Sequence, residues 1–159
     1  MFTQKEMSLL QDLKNAEQIC TEKYSKYAQQ ASAPQLQNLF QSIAQQEQQH
    51  VQTIEQMMSG SIPSSNSQSS QSGQSGQSSQ NSGSQQASCY QGQDQAYRND
   101  SYLCNDALST EKHVSADYNT CIFEFRDQNV RNTLNHLQKE EQQHGKMVYD
   151  YMSANGMYS

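Results

Sequence analysis

Residues 1–60 and 98–159 carry one pattern written twice, and this constrains the fold more than any other feature of the chain. Shifted by 94 positions, without a gap, Glu17 falls on Glu111, Tyr24 on Tyr118, Glu47 on Glu141 and His50 on His144. The apolar positions follow: Leu36 falls on Val130, Phe40 on Leu134, Ile43 on Leu137 and Met58 on Met152. A duplicated helical hairpin is the simplest account. Between the copies runs SGSIPSSNSQSSQSGQSGQSSQNSGSQQAS, which is almost free of apolar residues. Such a segment cannot bury enough surface to offset its ordering entropy, so it is expected to be disordered. The expected organisation is a first hairpin over 1–59, a linker over 60–97 and a second hairpin over 98–159, the two hairpins forming one bundle.

Each copy reads as two helices. In the first, Leu10, Leu13, Glu17, Cys20, Tyr24, Tyr27 and Ala31 recur at steps of three and four, one stripe of a helix. Thr3 and Glu6 make a capping box at its start, with Phe2 and Met7 placed to staple across it. The break falls at 32–34, where Pro34 suits the first turn of the next helix. The second stripe is Leu36, Phe40, Ile43, Glu47, His50, Ile54 and Met57. The other copy repeats it with Cys104, Ala107, Glu111, Val114, Tyr118, Cys121 and Phe125. A break follows at 126–128, with Asp127 as a cap. Then come Val130, Leu134, Leu137, Glu141, His144, Val148 and Tyr151, with Asn155-Gly156 as a stop.

Short turns within each copy make antiparallel hairpins. A helix of about 25 residues is roughly 38 Å long. A flexible linker of about 38 residues reaches roughly 34 Å. The linker can therefore return along the bundle. The expected fold is all-α: a ferritin-like four-helix bundle of two duplicated hairpins joined by one long disordered crossover.

Six residues on these stripes are not apolar: Glu17, Glu47, His50, Glu111, Glu141 and His144. A buried carboxylate costs several kcal/mol unless it is paired or binds a metal. Glu17 and Glu47 are 30 residues apart, as are Glu111 and Glu141, and each pair straddles its turn evenly. Four carboxylates should therefore meet at one level. Glu47 and His50, like Glu141 and His144, are three apart and share a helix face. One Glu from each of two helices plus Glu-x-x-His from each of the other two is the di-iron and di-manganese carboxylate pattern. Two Fe or Mn ions would neutralise the cluster, each with its own Glu and His from the tetrad. The competing reading is a polar layer satisfied by hydrogen bonds and water, inherited from a metal-binding ancestor. Tyr24 and Tyr118 lie two turns along the seams from Glu17 and Glu111, where they pack in the core or hydrogen-bond a ligand. Glu22, Glu124, Glu140, His113 and His136 fall off the stripes and read as solvated.

Composition bounds the partners. Hydrophobic residues are 33%, and mean hydropathy is −1.01, so a core can be only narrow. The formal charge is −6 with no run of Lys or Arg, which argues against nucleic acid. No apolar stretch nears the roughly 20 residues of a membrane span. MFTQKEMSLL lacks the apolar run of a signal peptide, so synthesis in the cytoplasm without one is expected. Cys20, Cys104 and Cys121 lie on helices and read as small core residues. Cys89 lies at the linker edge and is the best placed for crosslinking.

The segment DALSTEKHVSADYNTCIFEFRDQNVRNTLNHLQKEEQQHGKMVYDYMSANGMY resembles the Coat F family of spore coat proteins, and DLKNAEQICTEKYSKYAQQASAPQLQNLFQSIAQQEQQHVQTIEQMMSG resembles a ferritin-like hairpin. The resemblance implies a ferritin-like fold, a place in the spore coat and other coat proteins as partners. It leaves metal binding to the six seam residues. Two functions follow. One is a structural coat component, whose abundant Gln and nine Tyr suit crosslinking in a shell and which could self-associate. The other is a di-iron or di-manganese oxidoreductase handling peroxide or Fe(II).

Overall fold

The computed structural model describes residues 1–62 and 89–158. Four helices make up the fold: α1 (Gln4–Gln30), α2 (Pro34–Met58), α3 (Asp94–Glu124) and α4 (Gln128–Ala154), with no strand among the described residues. The expected breaks at 32–34 and 126–128 lie at the two hairpin turns. The expected crossover falls mostly on 63–88, outside the described residues. Residues 89–97 were grouped with the linker on composition, but α3 already begins at Asp94. Tyr90 is buried ahead of it.

The local signals behave as their chemistry requires. Thr3 and Glu6 form the reciprocal capping box. Pro34 opens α2, and the Asp127 carboxylate accepts from the backbone N–H of Asn129 at 2.7 Å and Val130 at 3.2 Å. Phe2 packs edge-on against Phe125, with ring centroids 5.9 Å apart. Gly156 takes φ +69° just past α4, a conformation that suits a residue without Cβ.

Each helix packs on two others: α1 on α2 and α3, and α4 on α2 and α3. Contacts fix their directions. Lys14 faces Glu55, Lys5 faces Glu124, and Gln138 donates to the Ser115 carbonyl, so neighbouring helices run antiparallel. Consequently α2 ends and α3 begins at opposite ends of the bundle, as in a ferritin-like fold with one long connection. The stripes read from the sequence form the core: Leu10, Leu36, Phe40, Ile43, Tyr118, Leu134 and Val148 are fully buried.

The duplication is visible as reciprocal contacts. Glu6 and Asp100 occupy the same repeat position, as do Ser32 and Arg126. Asp100 accepts from the backbone N–H of Ser32 at 2.7 Å and Ala33 at 2.9 Å. Glu6 accepts from the Arg126 N–H at 3.4 Å. Each hairpin thus holds the turn of the other. Asp100 is fully buried and also accepts from the Tyr90 hydroxyl at 2.6 Å, which ties the approach to α3 into the clamp.

Candidate metal centre

Halfway along the bundle the seams carry Glu17 from α1, Glu47 and His50 from α2, Glu111 from α3, and Glu141 and His144 from α4. All six are buried, none more than 3% exposed. They lie at one level because the hairpin spacing is the same in both copies. The donor atoms form two groups, Glu17, Glu47, His50 and Glu141 on one side and Glu47, Glu111, Glu141 and His144 on the other. Within each group they lie within 4.8 Å of one another. Glu47 and Glu141 belong to both. The tetrad therefore supplies a separate His to each group but shared carboxylates, and the separate Glu comes from α1 or α3.

His50 Nδ1 sits 2.9 Å from Glu141, 3.2 Å from Glu47 and 3.6 Å from Glu17. His144 Nδ1 sits 3.3 Å from Glu47 and 3.7 Å from Glu111. None of these contacts is aligned as a hydrogen bond. Eight buried atoms lack a hydrogen-bond partner: both Nδ1 atoms, both oxygens of Glu47 and Glu141, and one oxygen each of Glu17 and Glu111. Direct contacts among the side chains do not match these inward-facing donors and acceptors, so they call for water, protons or cations between them. Four carboxylates and two imidazoles converging on two points are a donor set for hard or borderline divalent cations.

The outer edges of these groups are well held. The Tyr24 hydroxyl donates to Glu111, and the Tyr118 hydroxyl donates to Glu17. Each tyrosine therefore serves the carboxylate of the other repeat. Both are buried, and burial raises their pKa values, which keeps them protonated as donors. On the far side of each imidazole, His50 Nε2 contacts Glu140 at 3.1 Å and His144 Nε2 contacts Gln46 at 3.2 Å. Fixing Nε2 leaves Nδ1 facing the carboxylates. Glu140 is thus not a solvated off-stripe residue. The second helix of one hairpin delivers it to the imidazole of the other, a position that periodicity along a single helix does not reveal. The hydrogen bond with His50 holds the Glu140 carboxyl below the usual value. Glu22, Glu124, His113 and His136 are exposed as expected, and none contacts the six residues.

The electrostatics show what the seam costs without a cation. Burial pushes Glu17 up to about 8 and Glu141 up to about 9, with His50 offsetting part of each rise. Burial also opposes ionisation of Glu47, but His144 and His50 outweigh it and hold that carboxyl at about 2. The imidazoles move the other way. Burial would lower both, yet the surrounding carboxylates raise His144 to about 10 and raise His50 as well. Protons on carboxyls and imidazoles are one way to balance this charge, and divalent cations are another.

The three helical cysteines sit where small core residues are expected. Cys20, Cys104 and Cys121 are buried, and Cys89 is exposed with its thiol 3.5 Å from the Asn155 side-chain oxygen. No described helix is long and apolar enough to cross a membrane. No curated protein and no solved structure matches the chain. Residues 8–78 match the Rubrerythrin family model. Residues 99–159 match that of the Coat F domain, so the family likeness seen in the second hairpin is established beside a Rubrerythrin-like first hairpin.

Proposed function

We propose that this chain is a structural component of the spore coat whose bundle core holds two divalent metal ions, Fe or Mn. The Coat F match supports the coat role, and with it assembly with other coat proteins and a location in the coat. One observation carries the metal reading: two groups of buried donors share Glu47 and Glu141 and leave eight of their atoms unmatched. Glu17 and His50 would hold one ion, Glu111 and His144 the other, and Glu47 and Glu141 would serve both. Tyr24 and Tyr118 steady the outer carboxylates, Glu140 and Gln46 orient the imidazoles, and the apolar seams above and below keep bulk water out.

A bound ion adds its binding free energy to folding, because the unfolded chain has no site. The bundle should therefore melt at a higher temperature with Fe(II) or Mn(II) than after chelation. His50→Ala with His144→Ala should remove most of that difference, and His113→Ala with His136→Ala should leave it nearly intact. Identical melting of wild type and the His50/His144 variant in both conditions would reduce the seam to a polar layer. The coat role is tested separately: tagged protein should concentrate at the forespore surface during sporulation. A uniform signal throughout the cell would contradict it.

A second reading, an oxidoreductase of di-iron or di-manganese type, is favoured by the Rubrerythrin match and by a cavity that reaches Glu111 and Glu141. A redox-active pair would supply electron-transfer chemistry there, while the chain supplies the donor set and the access.

A further inference from the structure

Among the places where the repeat is broken beside the candidate metal centre, one changes the bulk of the side chain next to a tetrad. Position 51 is Val and its equivalent, 145, is Gly. Val51 is buried at 4% exposure, and Glu17, the repeat equivalent of Glu111, is fully buried. At Gly145 the α3–α4 side stays open. A cavity of about 510 Å³ lies there, with Glu111 and Glu141 as its most buried lining residues and Lys112 and Lys146 exposed at its mouth. Leu108, Tyr149 and Tyr158 give it apolar walls. A Cβ at position 145 would stand 3.7 Å from the Glu111 Cβ, so the branched methyls of a valine would fill the gap in front of that residue.

Building on the proposed metal centre, we infer that this cavity is a one-sided access route by which a small anion reaches the ion held by Glu111 and His144, and that the ion held by Glu17 and His50 is closed to it. Lys112 at the mouth favours an anion over a cation, while Lys146 beside it is paired with Asp150 at 2.6 Å. Two members of that donor group, Glu111 and Glu141, line the cavity, and a side chain at 145 would stand against Glu111. The apolar walls lower the local dielectric and strengthen the attraction of an anion for a bound cation. The duplication supplied two equivalent ion positions, and a single small residue makes one of them reachable.

The test uses the full chain loaded with Co(II), with azide as the probe and the visible absorption of the bound cobalt as the readout. Cobalt content is measured first. Wild type should hold two Co(II) and bind one azide per chain. Gly145→Val should keep both ions and bind azide at least 10-fold more weakly. Leu108→Trp, which fills the cavity from α3 without touching a donor, should do the same and decides the matter if the valine variant misfolds. Val51→Gly should raise the stoichiometry towards two. If wild type takes up no cobalt, the metal reading fails and this inference fails with it. If it takes up two ions but binds no azide, or binds it equally well with the cavity filled, only the one-sided access is overturned.

Discussion

His50 and His144 are the same residue in the repeat, yet their outer partners and the residues that follow them differ. Both face carboxylates through Nδ1. Behind His50 stands the carboxylate of Glu140, and behind His144 the neutral amide of Gln46. The residue after His50 is the buried Val51, and the residue after His144 is Gly145, which lines a cavity. The inner donors and their tyrosine partners kept the symmetry of the duplication, and the contacts behind the imidazoles did not. In such a centre the donor set defines what can bind, whereas the surroundings define how tightly each ion is held and what else reaches it.

The comparison breaks most readily at the shared carboxylates. Glu47→Gln or Glu141→Gln should remove a donor from both groups and drop the metal content from two ions to nearly none. Glu17→Gln or Glu111→Gln should leave about one. Equal losses from all four variants in a metal titration would mean that no residue is shared.

The turn clamps offer the next test, because they too are equivalent and unequal. Asp100 is fully buried and holds two backbone N–H groups and a tyrosine hydroxyl, and Glu6 reaches its turn at 3.4 Å. Asp100→Ala should cost about 3 kcal/mol, since it strands the buried Ala33 N–H and removes an acceptor from the Ser32 N–H and the Tyr90 hydroxyl. Glu6→Ala should cost about 1 kcal/mol, mainly the value of a helix cap. Denaturant unfolding checks the ratio, and neither variant should change metal stoichiometry.

Exchanging the outer partners sharpens the imidazole comparison. A carboxylate behind an imidazole makes it the better ligand, so the His50 side should fill first. Glu140→Gln should weaken that ion by about 10-fold to 100-fold, and Gln46→Glu should tighten the other. Calorimetric titration of Mn(II) into the apo-protein should show the two affinities converging in the first variant.

The smallest effect is a pH dependence at Glu6. Hydrogen bonds from Thr3 lower its carboxyl below the ordinary 4.5. Its stabilisation is complete above 4.5 and is lost as pH falls through the lower folded value. Thr3→Ala should flatten that part of the acid limb, a change of about 1 kcal/mol or less.

Much of this was legible in the sequence because periodicity and burial act together. A helix face of Leu, Phe and Ile that also carries Glu and His has to bring those groups into the core, and the constant 30-residue spacing set them level. Glu140 and Gln46 were not legible that way. Their partners lie on another helix, and a stripe records only one helix's own face. The repeat held the signal, since 46 and 140 are equivalent positions that each precede the tetrad by one residue. Asp100 was obscured differently: it sits among Arg98, Asn99 and Ser101, so composition grouped its approach with the polar linker. Only its contacts with Ser32 and Ala33 across the bundle show why a charged residue is buried there.

The central claim is that six seam residues bind two metal ions, and elemental analysis of the purified protein tests it most directly. Protein isolated without chelator should carry iron or manganese approaching two ions per chain, and the His50→Ala/His144→Ala variant should carry almost none. A folded wild type that holds no iron or manganese, and takes up neither when either is offered in excess, would contradict it.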